Sequence, residues 1–456
     1  MNLLLLTADQ FRHDCMGWTE LTPPARTPQL DRLAAQSVRY THAFAPLPVC
    51  SPARQALLTG RHPDSFGAQW NYDFIKTPPP DPGLSWAAQL PQRGWNTGYI
   101  GKFHISGIHT PHHFGYQDFV PLTQHQRELH DQGLDAPMPG NWLGCTSPVP
   151  YEQAAPHWQA RKAGELIKRY AAEGKPWHLW VDFKEPHLPV RPSEPFASMF
   201  DARDMQPWPG FDDAFRKKPY AHRQQTFSWA TEGYTWQDFA PMVARYLGVI
   251  AQLDDAIGRI LDALDEAGAQ DDTMVVFTAD HGDMCGSHRM LDKHYVLYDD
   301  IIRVPLLVRI PGVTPETNDA FVSNVLDLAA TFRHMAGLPE DANAHGQLLP
   351  TQGDNSRQGA IVCSSNGQQF GLYTTRCLRT RTHKYVWNLT DVDELYDLTC
   401  DPGELNNLID CSEQAPRIAS MRKELYQRLQ EHQDPFVRSE WTRRQLLDGR
   451  KHVPWQ

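Results

Sequence analysis

The sequence has no CxxC pair and no closely spaced cysteine framework. Its eight cysteines (Cys15, Cys50, Cys145, Cys285, Cys363, Cys377, Cys400 and Cys411) are scattered along 456 residues. Zinc modules and small disulfide scaffolds need paired thiols at short fixed spacing, so neither class fits and mostly reduced thiols are expected. There is also no run of the roughly 20 apolar residues that crosses a bilayer. Leu3 to Leu6 is too short for the apolar region of a secretory leader and is soon followed by Asp9. A cytoplasmic protein without membrane contact is the expectation. Positive charge is scarce as well: 43 Lys and Arg against 54 Asp and Glu leave a net charge of -11. That balance excludes a general nucleic-acid binder, which needs a positive field over the phosphates, though it leaves room for a local basic pocket. No internal repeat is evident.

What is present describes an ordered chain. With 41% hydrophobic and 21% charged residues, the composition argues against disorder, and the length favours a large core with a smaller appended unit. Leu3 to Ala8 and Met274 to Ala279 are apolar runs that end in Asp9 and in Asp280-His281-Gly282. Trp177 to Phe183 before Lys184-Glu185-Pro186-His187, and Thr97 to Gly101 before Lys102, have the same form. All four read as buried strands with polar residues at their C-terminal ends, where open α/β sheets bind ligands. Val249, Ile250, Leu253, Ile257, Ile260, Leu261 and Leu264 recur at helical spacing, with Gly268 as a stop. The expected fold is α/β, a large mainly parallel sheet sandwiched by helices.

Residues 111 to 156 and 191 to 240 show little periodicity and read as long irregular insertions around a site. Texture changes near 345 to 360. Beyond it come short strand-like pieces (Ala360 to Cys363, Leu372 to Thr375, Lys384 to Trp387) and a helix with Ile418, Met421, Leu425 and Leu429 on one face. The expected division is a catalytic domain over 1–355 and, over 356–456, a smaller C-terminal α+β subdomain with an antiparallel sheet and one helix.

Asp9 and Asp280, at the ends of two strands, can converge on one cation. Gln10 and His281 beside them offer an amide oxygen and an imidazole nitrogen, so a divalent metal is implied. Oxygen donors suit Ca²⁺, Mg²⁺ or Mn²⁺, and the nitrogen shifts preference toward Mn²⁺ or Zn²⁺. The most specific segment is Cys50-Ser51-Pro52-Ala53-Arg54-Gln55-Ala56-Leu57-Leu58-Thr59-Gly60. Pro52 fits a first helical turn and Gly60 a helix end, which puts Cys50 at a helix N-terminus, where an anion is favoured.

The Cys-x-Pro-x-Arg pattern with Leu58-Thr59-Gly60 resembles the signature of the sulfatase family, within the alkaline-phosphatase-like superfamily. Further blocks occur in family order: Gly101-Lys102-Phe103-His104, Pro186-His187-Leu188-Pro189, Asp280-His281-Gly282, Lys293, Arg303-Val304-Pro305 and Glu394-Leu395-Tyr396-Asp397-Leu398. The resemblance implies that a maturation enzyme oxidises Cys50 to formylglycine, whose hydrated aldehyde supplies the attacking oxygen on a sulfate ester. It implies metal ligands Asp9, Gln10, Cys50 (as the converted side chain), Asp280 and His281, with Ca²⁺ the first expectation and Mn²⁺ or Mg²⁺ next. Lys102 and Lys293 would cradle the sulfate charge, His187 would protonate the leaving alcohol, His104 would take the proton from the second hydroxyl, and Arg54 would brace the site.

His109, His112, His113, His288 and His294 compete for the histidine roles and read as loop or rim residues. The implied substrate is a small-molecule or carbohydrate sulfate ester, with Trp70, Tyr72 and Trp142 as flat surfaces for sugar or aryl groups. Assembly into an oligomer is compatible with the sequence. Gln10 departs from the second Asp of many family members and is shared with relatives that hydrolyse phosphonate monoesters and phosphodiesters, which makes that activity the alternative. A non-catalytic anion-binding protein on the same scaffold is the third reading.

Overall fold

The computed structural model describes residues 1–73, 80–138, 140–293, 295–351, 357, 359–367 and 373–449. His294, Leu372 and the expected boundary between 355 and 356 lie outside the described residues.

Eight strands form the main sheet: β1 (Asn2–Asp9), β2 (Val38–Phe44), β3 (Asn96–Gly101), β4 (Asp118–Pro121), β5 (Trp177–Pro186), β6 (Thr273–Ala279), β7 (Arg303–Arg309) and β8 (Glu316–Ser323). Their order is β4-β3-β5-β1-β6-β7-β2-β8. All neighbours run parallel except β7, which is antiparallel to both β6 and β2. β1 lies between β5 and β6, covered on both faces, which is why Leu3 to Leu6 is a continuous apolar run and not an alternating one. Alternation in β5 shows the two layers. Trp177 packs on Tyr170 of the helix Ala155–Glu173, with ring centroids 6.2 Å apart, while His178 meets Phe332 of the helix Leu326–Met335, also at 6.2 Å.

The two expected insertions contain more regular structure than their composition suggested. Within 111–156, β4 adds an edge strand, and Leu122–Asp131 is a helix that turns Leu122, His125 and Leu129 toward one side. A four-residue edge strand ending in Pro121 is too short to show periodicity. Within 191–240, Tyr220–Ser228 is helical, and the long helix starts at Trp236, well before its apolar stripe. Thr235 and Asp238 set that start by capping each other.

A second, wholly antiparallel sheet follows: β9 (Ile361–Gly367), β10 (Tyr373–Arg379), β11 (His383–Asn388) and β12 (Glu394–Asp397), ordered β12-β11-β10-β9. One face receives Ile418, Met421, Leu425 and Leu429 from the helix Ala415–Glu431, packed on Val362, Leu378, Tyr385 and Trp387. The other face is not solvated. Cys363, Cys377, Val386 and Tyr396 share a core with Phe44, Tyr298, Ile301 and Phe321 of the first unit, and the Ser364 amide donates to the Pro46 carbonyl at 2.8 Å. The small sheet is thereby fused to the chain that leads into Cys50.

Candidate active site

The C-terminal ends of the parallel strands β3, β5, β1 and β6 lie side by side and bring together residues that are remote in sequence. Asp9 closes β1. Gln10 then adopts φ 68°, a left-handed conformation that costs a non-glycine residue about 1–3 kcal/mol. The turn is held from two sides: the Gln10 amide donates to Asp280 Oδ1 at 3.0 Å, and Tyr246 donates its hydroxyl to the Gln10 carbonyl at 2.6 Å. At the end of β3, Gly101 has φ 109° and a Cβ there would overlap the Asp182 carbonyl, so only glycine lets Lys102 turn into the site.

Cys50 opens the helix Cys50–Thr59, and Gly60 ends it at φ 69°. No residue of the helix itself caps the N-terminus. Asn71 does so from twenty residues away, accepting the Ser51 amide at 3.0 Å. The Cys50 side chain, 1% exposed, lies 3.3 Å from His281 Nε2, 3.7 Å from Asp9 Oδ1 and 3.9 Å from Lys102 Nζ.

One helical turn on, Arg54 ties the site together. It holds Asp182 through Nε at 2.9 Å and Nη2 at 3.0 Å, reaches Asp9 at 3.1 Å, and pairs with Asp280. Lys102 pairs with the Asp9 carboxylate. Lys293 donates to Gln10 Oε1 at 3.2 Å and to His187 Nε2 at 3.0 Å, and Asp292 lies 3.0 Å away. Gln10 Nε2 donates in turn to Asp283 at 2.7 Å. His104 contacts Asp73 at 3.3 Å and meets the Tyr72 ring edge-on.

The electrostatics favour an anion at Cys50. Burial pushes its thiol up, but Lys102, Lys293 and His281 outweigh burial and hold it well below the usual range. Burial raises Asp280 to about 6 in spite of Arg54. Asp9 goes the other way, because Lys102 and Arg54 overcome burial and the Cys50 sulfur. Burial opposes a charged His281, yet Asp280 and Cys50 lift it to about 9. His187 is lowered by burial and then by Lys293. His104 is raised, since Asp73 and Cys50 exceed its burial cost.

The residues fit a divalent cation. Ligand atoms of Asp9, Cys50, Asp280 and His281 all lie within 4.8 Å of one another. His281 donates its Nδ1–H to the Gly282 carbonyl at 2.8 Å, which directs Nε2 into the cluster, 3.6 Å from Asp280 and 3.8 Å from Asp9.

Cys50, Arg54, Lys102, His104, His187, Lys293, Asp9, Gln10, Asp280 and His281 therefore meet around one centre. Other expectations need correction. His288 is not a rim residue: it is fully buried, bonded to Asp213 at 2.6 Å and stacked on Tyr298 at 3.8 Å. Trp70 is likewise buried, stacked on Tyr295, and cannot serve as a surface for substrate. Trp142 is exposed, edge-on to Trp229. His109, His112 and His113 lie on the outer turn as expected. Asp182, Asp283, Asn71 and Tyr246 were not anticipated. Asp182 had a usable signal, as the one acid inside the apolar run Trp177 to Phe183.

A sulfatase family model matches residues 1–338, and a model described as the N-sulphoglucosamine sulphohydrolase C-terminal region matches residues 286–433. An arylsulfatase of Clostridium perfringens is 27% identical, with 96% of each chain covered. Among solved structures, the phosphonate monoester hydrolase of Agrobacterium radiobacter superposes with a TM-score of 0.80 at 24% identity, covering 94% of this chain and 96% of that one. A protein solved with its substrate D-glucosamine-2-N,6-O-disulfate gives 0.77 at 18% identity, covering 96% and 99%. With the signature at Cys50 in place and three quarters of its length matched, this chain belongs to the sulfatase family of hydrolases.

Proposed function

We propose that the protein is a formylglycine-dependent, metal-assisted sulfatase that cleaves a sulfate ester of a carbohydrate or small alcohol. The observation that carries this reading is the position of Cys50, buried at a helix N-terminus between Asp9, His281 and Lys102. Conversion of Cys50 by a maturation enzyme would supply a hydrated aldehyde as nucleophile. A divalent ion held by Asp9, Gln10, Asp280, His281 and the converted side chain would add positive charge for the sulfate oxygens; the oxygen-rich donor set suits Ca²⁺ first, then Mn²⁺ or Mg²⁺.

The chain's own residues do the rest. Lys102 and Lys293 hold the charge that gathers on the sulfate oxygens as the ester bond lengthens. Arg54 keeps the Asp9 and Asp280 carboxylates in place and offsets their repulsion. His104, poised by Asp73, receives a proton on the nucleophile side. Lys293 and His187 form the proton-holding pair on the leaving-group side.

The test is the mass of the Cys50 peptide from the native host, together with turnover by Cys50→Ala. A peptide that carries only thiol, or a variant that keeps its activity, refutes the reading.

Gln10 supports a second reading, hydrolysis of a phosphonate monoester or phosphodiester, because it removes one negative charge from the ion site. The likeness in fold to a phosphonate monoester hydrolase agrees with it. Side-by-side kcat/KM values for 4-nitrophenyl sulfate and phenyl phosphonate esters decide between them, and a large excess on the phosphonate would reverse the order. A non-catalytic anion binder has no use for two histidines poised on opposite sides of one centre.

A further inference from the structure

A cavity of about 180 Å³ shares His187 with the centre and is lined as well by Glu185, Arg191 and Ser193. Three polar atoms of these residues, Glu185 Oε2, Arg191 Nε and Ser193 Oγ, are buried without a hydrogen-bond partner among the described residues. Native proteins rarely leave such groups unpaired, so either water or a ligand in the cavity pairs with these three, and a polar ligand that enters must replace the water's hydrogen bonds. Ser193 is 1% exposed. Its position is fixed: Gln252 Oε1 accepts its amide at 2.9 Å, and Pro192 beside it accepts the Ser147 amide at 2.8 Å. Val149 and Val249 supply apolar wall.

The set is mixed in a particular way. Arg191 donates, Ser193 donates and accepts, and the Glu185 carboxyl, which burial makes harder to ionise, can do either. A ring with hydroxyls on its edge and C–H groups on its face satisfies all three atoms and the valines together. An aryl ring satisfies only the valines, leaving the polar atoms as they are.

We propose that this cavity is the subsite for the leaving alcohol, and that Glu185 and Ser193 are specificity-determining residues that hydrogen-bond the ring hydroxyls of a carbohydrate sulfate. The proposal rests on the sulfatase reading and deepens it. A sulfate held at Cys50 places its leaving oxygen near His187, and the body of the alcohol continues past that residue into the cavity.

The experiment uses the mature, metal-loaded enzyme with 4-nitrophenyl sulfate and with the 2-, 3-, 4- and 6-sulfates of D-glucose and D-glucosamine. The wild type is expected to favour at least one sugar sulfate. In Glu185→Gln and Ser193→Ala, KM for that sugar should rise at least ten-fold with kcat within about two-fold, so that the sugar-to-aryl ratio of kcat/KM falls at least ten-fold. A ratio that does not change, whether both activities drop together or neither does, overturns the proposal. So does a wild type that turns over the aryl sulfate but no sugar sulfate, an outcome that leaves the sulfatase reading standing. A wild type inactive on every sulfate yet active on phenyl phosphonate esters would instead defeat that reading.

Discussion

Lys293 donates to His187 Nε2 at 3.0 Å, while His187 Nδ1 donates to the Leu188 carbonyl at 2.6 Å. The imidazole is thus neutral at rest, with the ammonium as its hydrogen-bond donor. Burial first, and then the ammonium, lower the His187 pKa. Lys293→Ala takes away a positive charge, so the imidazolium forms more easily and the pH–rate limb that reports His187 moves to higher pH. Loss of the charge that holds the sulfate lowers kcat/KM on both esters, and loss of the proton role adds about 10²–10⁴-fold for an alkyl sulfate beyond the loss on 4-nitrophenyl sulfate, whose leaving group needs little protonation. Equal losses on both esters would exclude a proton role for the pair.

Asp182 is the bidentate partner of Arg54 and also receives Thr7 at 2.8 Å and Tyr99 at 2.6 Å. Asp182→Ala leaves a buried guanidinium short of one counter-charge and should destabilise the fold by about 3–5 kcal/mol. Urea denaturation measures this; a loss under about 1 kcal/mol would mean that Asp9 and Asp280 suffice for Arg54.

Asp9 and Asp280 face each other across Arg54, so an added cation should stabilise the native state. Saturation at 100 times Kd contributes about 2.7 kcal/mol, and chelation should remove that and the activity together, with recovery on adding back Ca²⁺. A melting temperature insensitive to chelator would speak against the ion site. Asp280→Asn should weaken the metal response.

Asp254 gives a pH dependence remote from the catalytic centre. It accepts the Gln29 and Leu30 amides at 3.0 and 2.8 Å, yet burial raises it to about 7. Between about pH 4 and 7 the native state holds a proton that the unfolded chain has lost. Its contribution is therefore complete below pH 4 and declines up to pH 7, with a slope of at most about 1.4 kcal/mol per pH unit. Asp254→Asn should flatten that part of the stability curve, as read by denaturant midpoints across the range.

Local patterns made part of this site legible. The runs before Asp9 and Asp280 announce buried strands with polar ends, and Gly60 marks the helix end that sets Cys50 at the opposite terminus. The four-strand sheet was foreshadowed by the pieces at Ala360 and Lys384, although β12 was visible only as the Glu394-Leu395-Tyr396-Asp397 block. What escaped depends on partners far along the chain. Asp182 looks like a blemish in an apolar strand until Arg54 arrives from 128 residues away. Asn71 becomes a helix cap only once the fold delivers it. His288, flanked by Ser287 and Arg289, reads as loop because Asp213, 75 residues upstream, pairs with it only after folding.

The hydrogen bond from Ser364 to Pro46 sets an order in time. During synthesis 318 residues separate the two, which at about 5–20 residues per second amounts to roughly 15–60 s. Throughout that interval the strand that pins Pro46, four residues before Cys50, does not yet exist. The segment that leads into Cys50 stays unpinned for as long as that takes, and a slower-translated message would prolong the interval.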